Sequence, residues 1–180
     1  PWATHLLVTA RTGGGQRDAQ GVSVFIVPKN AKGVTTRDYP TVDGFRASEV
    51  TFENVSVGAD ALIGTEGAAL PLVEKVIDEA IVATCAEACG VFRKLHEGTL
   101  EYTKQRKQFG QAISQFQVLQ HRMVDMFINL EQSISMTYMA DIKLSDSDEE
   151  RAKGASAAKV QIGKAAKFIG CALWQSSGKC

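Results

Sequence analysis

Two hydrophobic periods divide this sequence. Up to about Val57, apolar and polar residues alternate in short runs broken by glycine, proline and asparagine. Beyond about Ala61, apolar residues return every three or four positions. The first period predicts strands and the second helices. Strands are expected over 5–10, 22–27, 34–39 and 47–52, rich in branched residues, with a polar, glycine-rich turn over 12–20. Gly13-Gly14-Gly15 lacks the lysine and the serine or threonine of a phosphate loop and precedes no helical pattern, so it reads as a hairpin end. Arg46 and Glu49 read as solvated strand positions. These strands make an antiparallel sheet that is too small to close.

The helical period begins near Leu70, with Pro71 tolerated in a first turn. Leu70, Val73, Ile77, Ala80, Ile81, Thr84, Ala88, Val91, Leu95, Thr99 and Tyr102 predict one face of a helix about 35 residues and ~50 Å long. A second helix is expected to open on a capping box, Ser114-x-x-Gln117, with Phe116, Leu119, Met123, Met126, Phe127, Leu130, Ile134 and Tyr138 as its core face. A third, from about 148 to 174, follows the box Ser147-x-x-Glu150, and its many alanines permit close helix approach. The fold class is therefore α+β: a partial antiparallel β domain, residues 1–60, followed by an incomplete up-down four-helix bundle, residues 61–180. Because a strand pattern starts at once and the bundle lacks its last helix, the chain is expected to be a fragment of something longer.

Composition narrows the chemistry. Apolar residues make up 44% and charged residues 22% of 180, with 20 basic against 20 acidic side chains. That balance gives no basic footprint for nucleic acid, and no apolar run is long enough to span a membrane. Cys85, Cys89, Cys171 and Cys180 have no paired metal spacing, and the first two read as reduced core thiols, which suits a cytoplasmic compartment. His5, His96 and His121 are scattered, and no nucleophile elbow is present. Asp78 and Glu79 are helix neighbours that point apart, as solvated or bundle-interface charges. No catalytic base can be named from the residues alone.

One stretch stands out between the two longest helical patterns: Arg106-Lys107-Gln108-Phe109-Gly110, followed by Gln115-Phe116-Gln117. An arginine, an aromatic and a glycine at a helix terminus admit two readings. The arginine can grip an anion in a forked geometry. Equally, it can complement the helix macrodipole while Gly110 stops the helix.

The run Glu101-Tyr102-Thr103-Lys104-Gln105-Arg106-Lys107-Gln108-Phe109-Gly110, then Ile113-Ser114-Gln115-Phe116-Gln117 and Val124-Asp125-Met126, resembles the signature of acyl-CoA dehydrogenases. The segments 5–11, Phe25-Ile26-Val27-Pro28, Gly44-Phe45-Arg46-Ala47 and Ile63-Gly64-Thr65-Glu66-Gly67 are similar to that family's middle β domain. The likeness runs through nearly the whole chain and is strongest to small subunits of pimeloyl-CoA dehydrogenase. It implies an FAD enzyme that performs α,β-dehydrogenation of an acyl-CoA thioester and passes electrons to an electron-transferring flavoprotein. It further implies a homodimer or homotetramer with FAD at the subunit interface. By the resemblance Arg106 reaches the FAD pyrophosphate of a neighbouring subunit, Gln108 lies near that phosphate, Phe109 packs by the adenine and Gln117 sits near the adenosine. Gln117 keeps its capping-box alternative. Gln175 matches a glutamine that precedes a glycine pair in the family, but here Gln175-Ser176-Ser177-Gly178 keeps one glycine only. The family's catalytic glutamate is expected beyond Cys180, and the alternative position early in the first long helix matches Ala80, which carries no acid. Two other classes remain open: a non-catalytic helical oligomerisation module, and an acyl-CoA oxidase or flavin monooxygenase relative.

Overall fold

A computed structural model describes residues 1–176, the last three by backbone alone. It separates into two compact units, Pro1–Glu74 and Lys75–Cys180. In the first, β1 (His5–Arg11) pairs antiparallel with β2 (Val22–Pro28), and β2 also pairs with the short β5 (Leu62–Ile63). A separate antiparallel ribbon joins β3 (Val34–Pro40) to β4 (Arg46–Phe52). Every expected strand forms. Glu49 of β4 meets Arg37 of β3 at 2.7 Å, an exposed cross-strand pair of the kind that contributes little to stability.

Arg11 orders the glycine-rich turn, donating from Nη1 to the Gln20 carbonyl and from Nη2 to the Asp18 carbonyl, each at 3.0 Å. Gly21 has φ +92°, and a Cβ there would lie 2.0 Å from the Gly13 carbonyl oxygen, so the turn accepts no side chain at that position. The change of period near residue 61 does not coincide with the boundary between the units. Residues 61–69 stay with the sheet because β5 pairs with β2, Ala69 N donates to Val22 O at 2.9 Å, and Gly67 N donates to the buried Ser23 Oγ at 2.8 Å.

Three long helices follow: α1 (Leu70–Gln105), α2 (Gln117–Lys143) and α3 (Asp148–Ser176). In the second unit one core cluster joins Phe92 of α1, Met126 and Leu130 of α2, and Ala165, Ile169 and Ala172 of α3. Another joins Val82 and Cys85, Ala140, and Ala155 and Ala158. The short link after Lys143 makes α2 and α3 antiparallel neighbours, with Ala140 level with Ala155 and Met126 level with Ile169. Their approach is close. A Cβ on Gly154 would stand 3.5 Å from the Ala140 Cα and 3.0 Å from the Lys143 side chain.

The buried stripes differ in part from the expected ones. On α1 the interior carries Val82, Cys85, Cys89, Phe92, Thr99 and Thr103, whereas Ile77 and Val91 are exposed. The face is turned by about one residue: Cys85 packs with Ala155 and Ala158 of α3, whereas Cys89 meets Thr137 and Thr103 meets Met123, both on α2. On α2 the interior includes Ser133, Thr137 and Ala140, while Phe127 and Tyr138 face out. Ser133 and Thr137 satisfy their hydroxyls on carbonyls one turn back, at 2.7 and 2.8 Å, so they enter a core at small cost.

The two capping boxes part ways. Glu150 N donates to Ser147 Oγ at 3.4 Å at the start of α3. Ser114 instead lies in a 3-10 turn, and α2 starts from Phe116 with no side-chain cap. A buried arginine that the sequence pattern did not flag links two helices: Arg151 Nε donates to Asp78 Oδ2 at 3.0 Å and Nη1 to Asp148 Oδ1. These carboxylates hold the Arg151 pKa above its ordinary value, Asp148 contributing most. Asp78 is thereby a bundle-interface charge.

Candidate functional site

Helix α1 ends at Gln105, and Arg106 N still donates to Tyr102 O at 2.9 Å, closing its last turn. The chain then folds into a miniature hairpin, β6 (Lys107–Gln108) against β7 (Gln111–Ala112), with Lys107 opposite Ala112 and Gln108 opposite Gln111. Ile113 N donates back to Arg106 O at 2.9 Å and the Ile113 side chain is buried, so the hairpin is fastened at its base. Gly110 is accordingly not the helix stop. It is the second residue of a two-residue turn in which Phe109 has φ +54° and Gly110 φ +80°.

Positive φ at both central residues is what a type I′ hairpin demands, because its twist matches that of the strands. Glycine meets the demand freely, but phenylalanine in the left-handed region costs about 1–2 kcal/mol. The ring obtained at that cost is 92% exposed and meets Phe116 in a T-shaped contact with centroids 6.2 Å apart. A strained aromatic held out to solvent is a feature that stability alone does not explain.

The expected binding residues gather here. Arg106, Gln108, Phe109 and Gln117 are all exposed. Arg106 lies at the hairpin base, and among the described residues its guanidinium meets neither a carboxylate nor a carbonyl. Gln108 turns its amide onto the Lys107 carbonyl at 2.8 Å. Gln117 opens α2, and with no capping bond formed its side chain is free of that role. Gln175 falls in the last turn of α3, which the antiparallel course brings to the same end as the start of α2; its side chain lies outside the described residues. One preformed hairpin offers a forked cation that is unpaired among the described residues, a flat ring and the Gln108 amide, with the Gln117 amide at the start of α2. That donor set fits the diphosphate and base of a dinucleotide such as FAD. It includes no group suited to moving a proton. Among the described residues no cluster of ligands suits a metal ion.

The helical architecture and this loop are those of a known domain. The sequence profile of the acyl-CoA dehydrogenase C-terminal domain matches residues 70–179. The chain belongs to the acyl-CoA dehydrogenase family. Over 136 residues it is 33% identical to the short-chain specific acyl-CoA dehydrogenase of Clostridium acetobutylicum, matching 74% of this chain and 35% of that protein. Over 153 residues it is 31% identical to the mitochondrial short/branched chain specific acyl-CoA dehydrogenase of Bos taurus, matching 83% of this chain and 35% of that one. The structure of PigA with FAD and proline superposes with a TM-score of 0.88 at 28% identity, covering 98% of this chain and 46% of PigA. The chain thus spans about a third of the length of these curated relatives and under half of that solved chain.

Proposed function

We propose that this chain supplies the C-terminal helical part, and the adjoining β segment, of an FAD-dependent acyl-CoA dehydrogenase working in the cytoplasm as a homodimer or homotetramer. The observation that carries the reading is the hairpin at the end of α1, with the exposed Arg106 at its base, unpaired among the described residues, and the strained, solvent-facing ring of Phe109 at its turn. FAD, when bound, supplies the hydride acceptor for α,β-dehydrogenation of an acyl-CoA, and an electron-transferring flavoprotein takes the electrons onward. The part given to this chain is binding and orientation. Arg106 would hold a diphosphate by paired charge-assisted hydrogen bonds. Phe109, locked by its turn, would stack on the base without paying ordering entropy at the moment of binding. Gln117 and Gln108 would add polar contacts along the same edge. No residue of this chain is assigned the removal of the α-proton.

The test uses the full-length polypeptide. Arg106→Ala is expected to weaken FAD by about 1.5–3 kcal/mol, the scale of a charged hydrogen bond, read as loss of flavin absorbance from the protein fraction on gel filtration. Flavin retained as tightly as in the parent would remove Arg106 from the site. Anaerobic bleaching of the flavin by acyl-CoA, with slow reoxidation in air, is expected of a dehydrogenase. Rapid reoxidation by oxygen would instead mark an oxidase.

A further inference from the structure

Midway along α1 and α2 the two helices leave an open cleft of about 240 Å³, walled by Cys89, Gly90 and Arg93 of α1 and by Ile134, Thr137 and Tyr138 of α2. Its floor offers no free donor. Cys89 and Thr137 are buried against each other, Sγ to Oγ1 at 3.5 Å, and the Thr137 hydroxyl donates to the Ser133 carbonyl at 2.8 Å. Ile134 adds a half-buried apolar side. The polar groups stand at the mouth, where Arg93 is exposed and Tyr138 is 68% exposed. Among the described residues neither the guanidinium nor the phenol makes a hydrogen bond or an ion pair. Glu97, the acid one turn further along α1, is held instead by Lys94 at 3.0 Å. Gly90 keeps the cleft open. Glycine inside a helix is less stable than alanine, and no close approach demands it here, since a Cβ would meet nothing within 4 Å.

We infer that this cleft binds a small carboxylic acid with a short hydrocarbon tail, its carboxylate held by Arg93 and Tyr138 and its tail laid over Gly90 against Ile134. An apolar recess with a few polar groups at one end is the usual form of a small-molecule site. The charge of those groups selects the ligand. A guanidinium matches a carboxylate in a planar, forked pair, and a phenol supplies one further donor. Size narrows it further. At ~30 Å³ for each water-sized group the cleft takes about eight non-hydrogen atoms, the size of a six-carbon acid. A nucleotide is far too large. Arg93 lies about 20 Å along α1 from Arg106, at 1.5 Å per residue, so this ligand and a dinucleotide at the hairpin do not compete. The site needs no flavin.

Sodium hexanoate is the probe, titrated into the full-length polypeptide and followed by saturation-transfer NMR. Saturable binding is expected, with a dissociation constant on the order of 1 mM. Hexanol keeps the tail and lacks the charge, and it should bind about tenfold more weakly or worse. Arg93→Gln should weaken hexanoate by the same factor, about tenfold, because the charge-assisted pair is lost. Tyr138→Phe should weaken hexanoate by about threefold, the scale of one neutral hydrogen bond, and leave hexanol unchanged. Gly90→Leu fills the cleft from an exposed helical position where a side chain has no neighbour to disturb, so it should fold as the parent does and lose the site. A parent that shows no saturable binding would overturn the inference. So would hexanol binding as tightly as hexanoate, or an Arg93→Gln or Gly90→Leu protein that binds hexanoate as the parent does.

Discussion

Ile169 is the sharpest probe of how the helical unit is held together. It is fully buried on α3, packed among Phe92 of α1 and Met126 and Leu130 of α2, so it is the point where all three helices meet. Ile169→Ala removes three carbons. At about 0.8 kcal/mol for each buried methylene-sized group, the transfer loss is roughly 2.5 kcal/mol. A cavity cost adds to this, because its neighbours in α3 are Ala165 and Ala172, whose single methyl groups cannot reach inward to fill the gap. The total expected is about 3–4 kcal/mol, within the range for large-to-small core changes. Ile169→Val keeps most of the volume and should cost only about 0.5–1.5 kcal/mol. Phe168→Ala next door, on a partly exposed ring, should cost less than Ile169→Ala despite deleting more atoms. Urea unfolding followed by ellipticity at the helical band reads the helical unit directly. If Ile169→Ala shifted stability by no more than Phe168→Ala, the core would not lie where these three helices converge.

Two further outcomes follow from individual side chains. Lys143 holds the Glu150 pKa below its ordinary value through a direct hydrogen bond, with Lys153 adding to it. A depressed folded pKa means stability that is present above the usual carboxylate range and lost as pH falls through the folded value. The unfolding midpoint should therefore drop on acidification, and Glu150→Gln should flatten that slope while lowering stability at neutral pH. Burial raises the Cys85 thiol pKa, while Cys171 is exposed. A thiol reagent at neutral pH should modify Cys171 quickly and Cys85 only after unfolding, as mapped by mass spectrometry; rapid labelling of Cys85 in the native chain would place it outside the core.

The family membership and the order of elements were legible in the sequence because each rests on local pattern. Alternation with turn residues set the four long strands, and a period near 3.6 set three helices whose ends fall close to the expected ones. The Ser147 cap was readable for the same reason, since its bond spans three residues. The residues of the junction could be picked out by type and by resemblance, but their presentation could not. Whether Gly110 ended a helix or turned a hairpin depended on Ile113 being buried and returning a hydrogen bond to Arg106 across seven residues.

Which side of each helix faces inward was likewise decided by the tertiary structure. Hydrophobicity favoured Ile77, Phe127 and Tyr138, yet the interior went to Cys85, Ser133, Thr137 and Ala140. The reason is steric. Where alanine and glycine on α3 let helices approach closely, only small side chains fit between them, and a hydroxyl bonded to its own helix fits as well as a methyl group. The sequence by itself determined the elements, their order and the family to which the chain belongs. Tertiary packing alone decided which faces are spent on the core and that Arg151 is buried against Asp78, because these depend on segments far apart along the chain, whereas the outward pose of Phe109 is set within the short hairpin closed from Arg106 to Ile113.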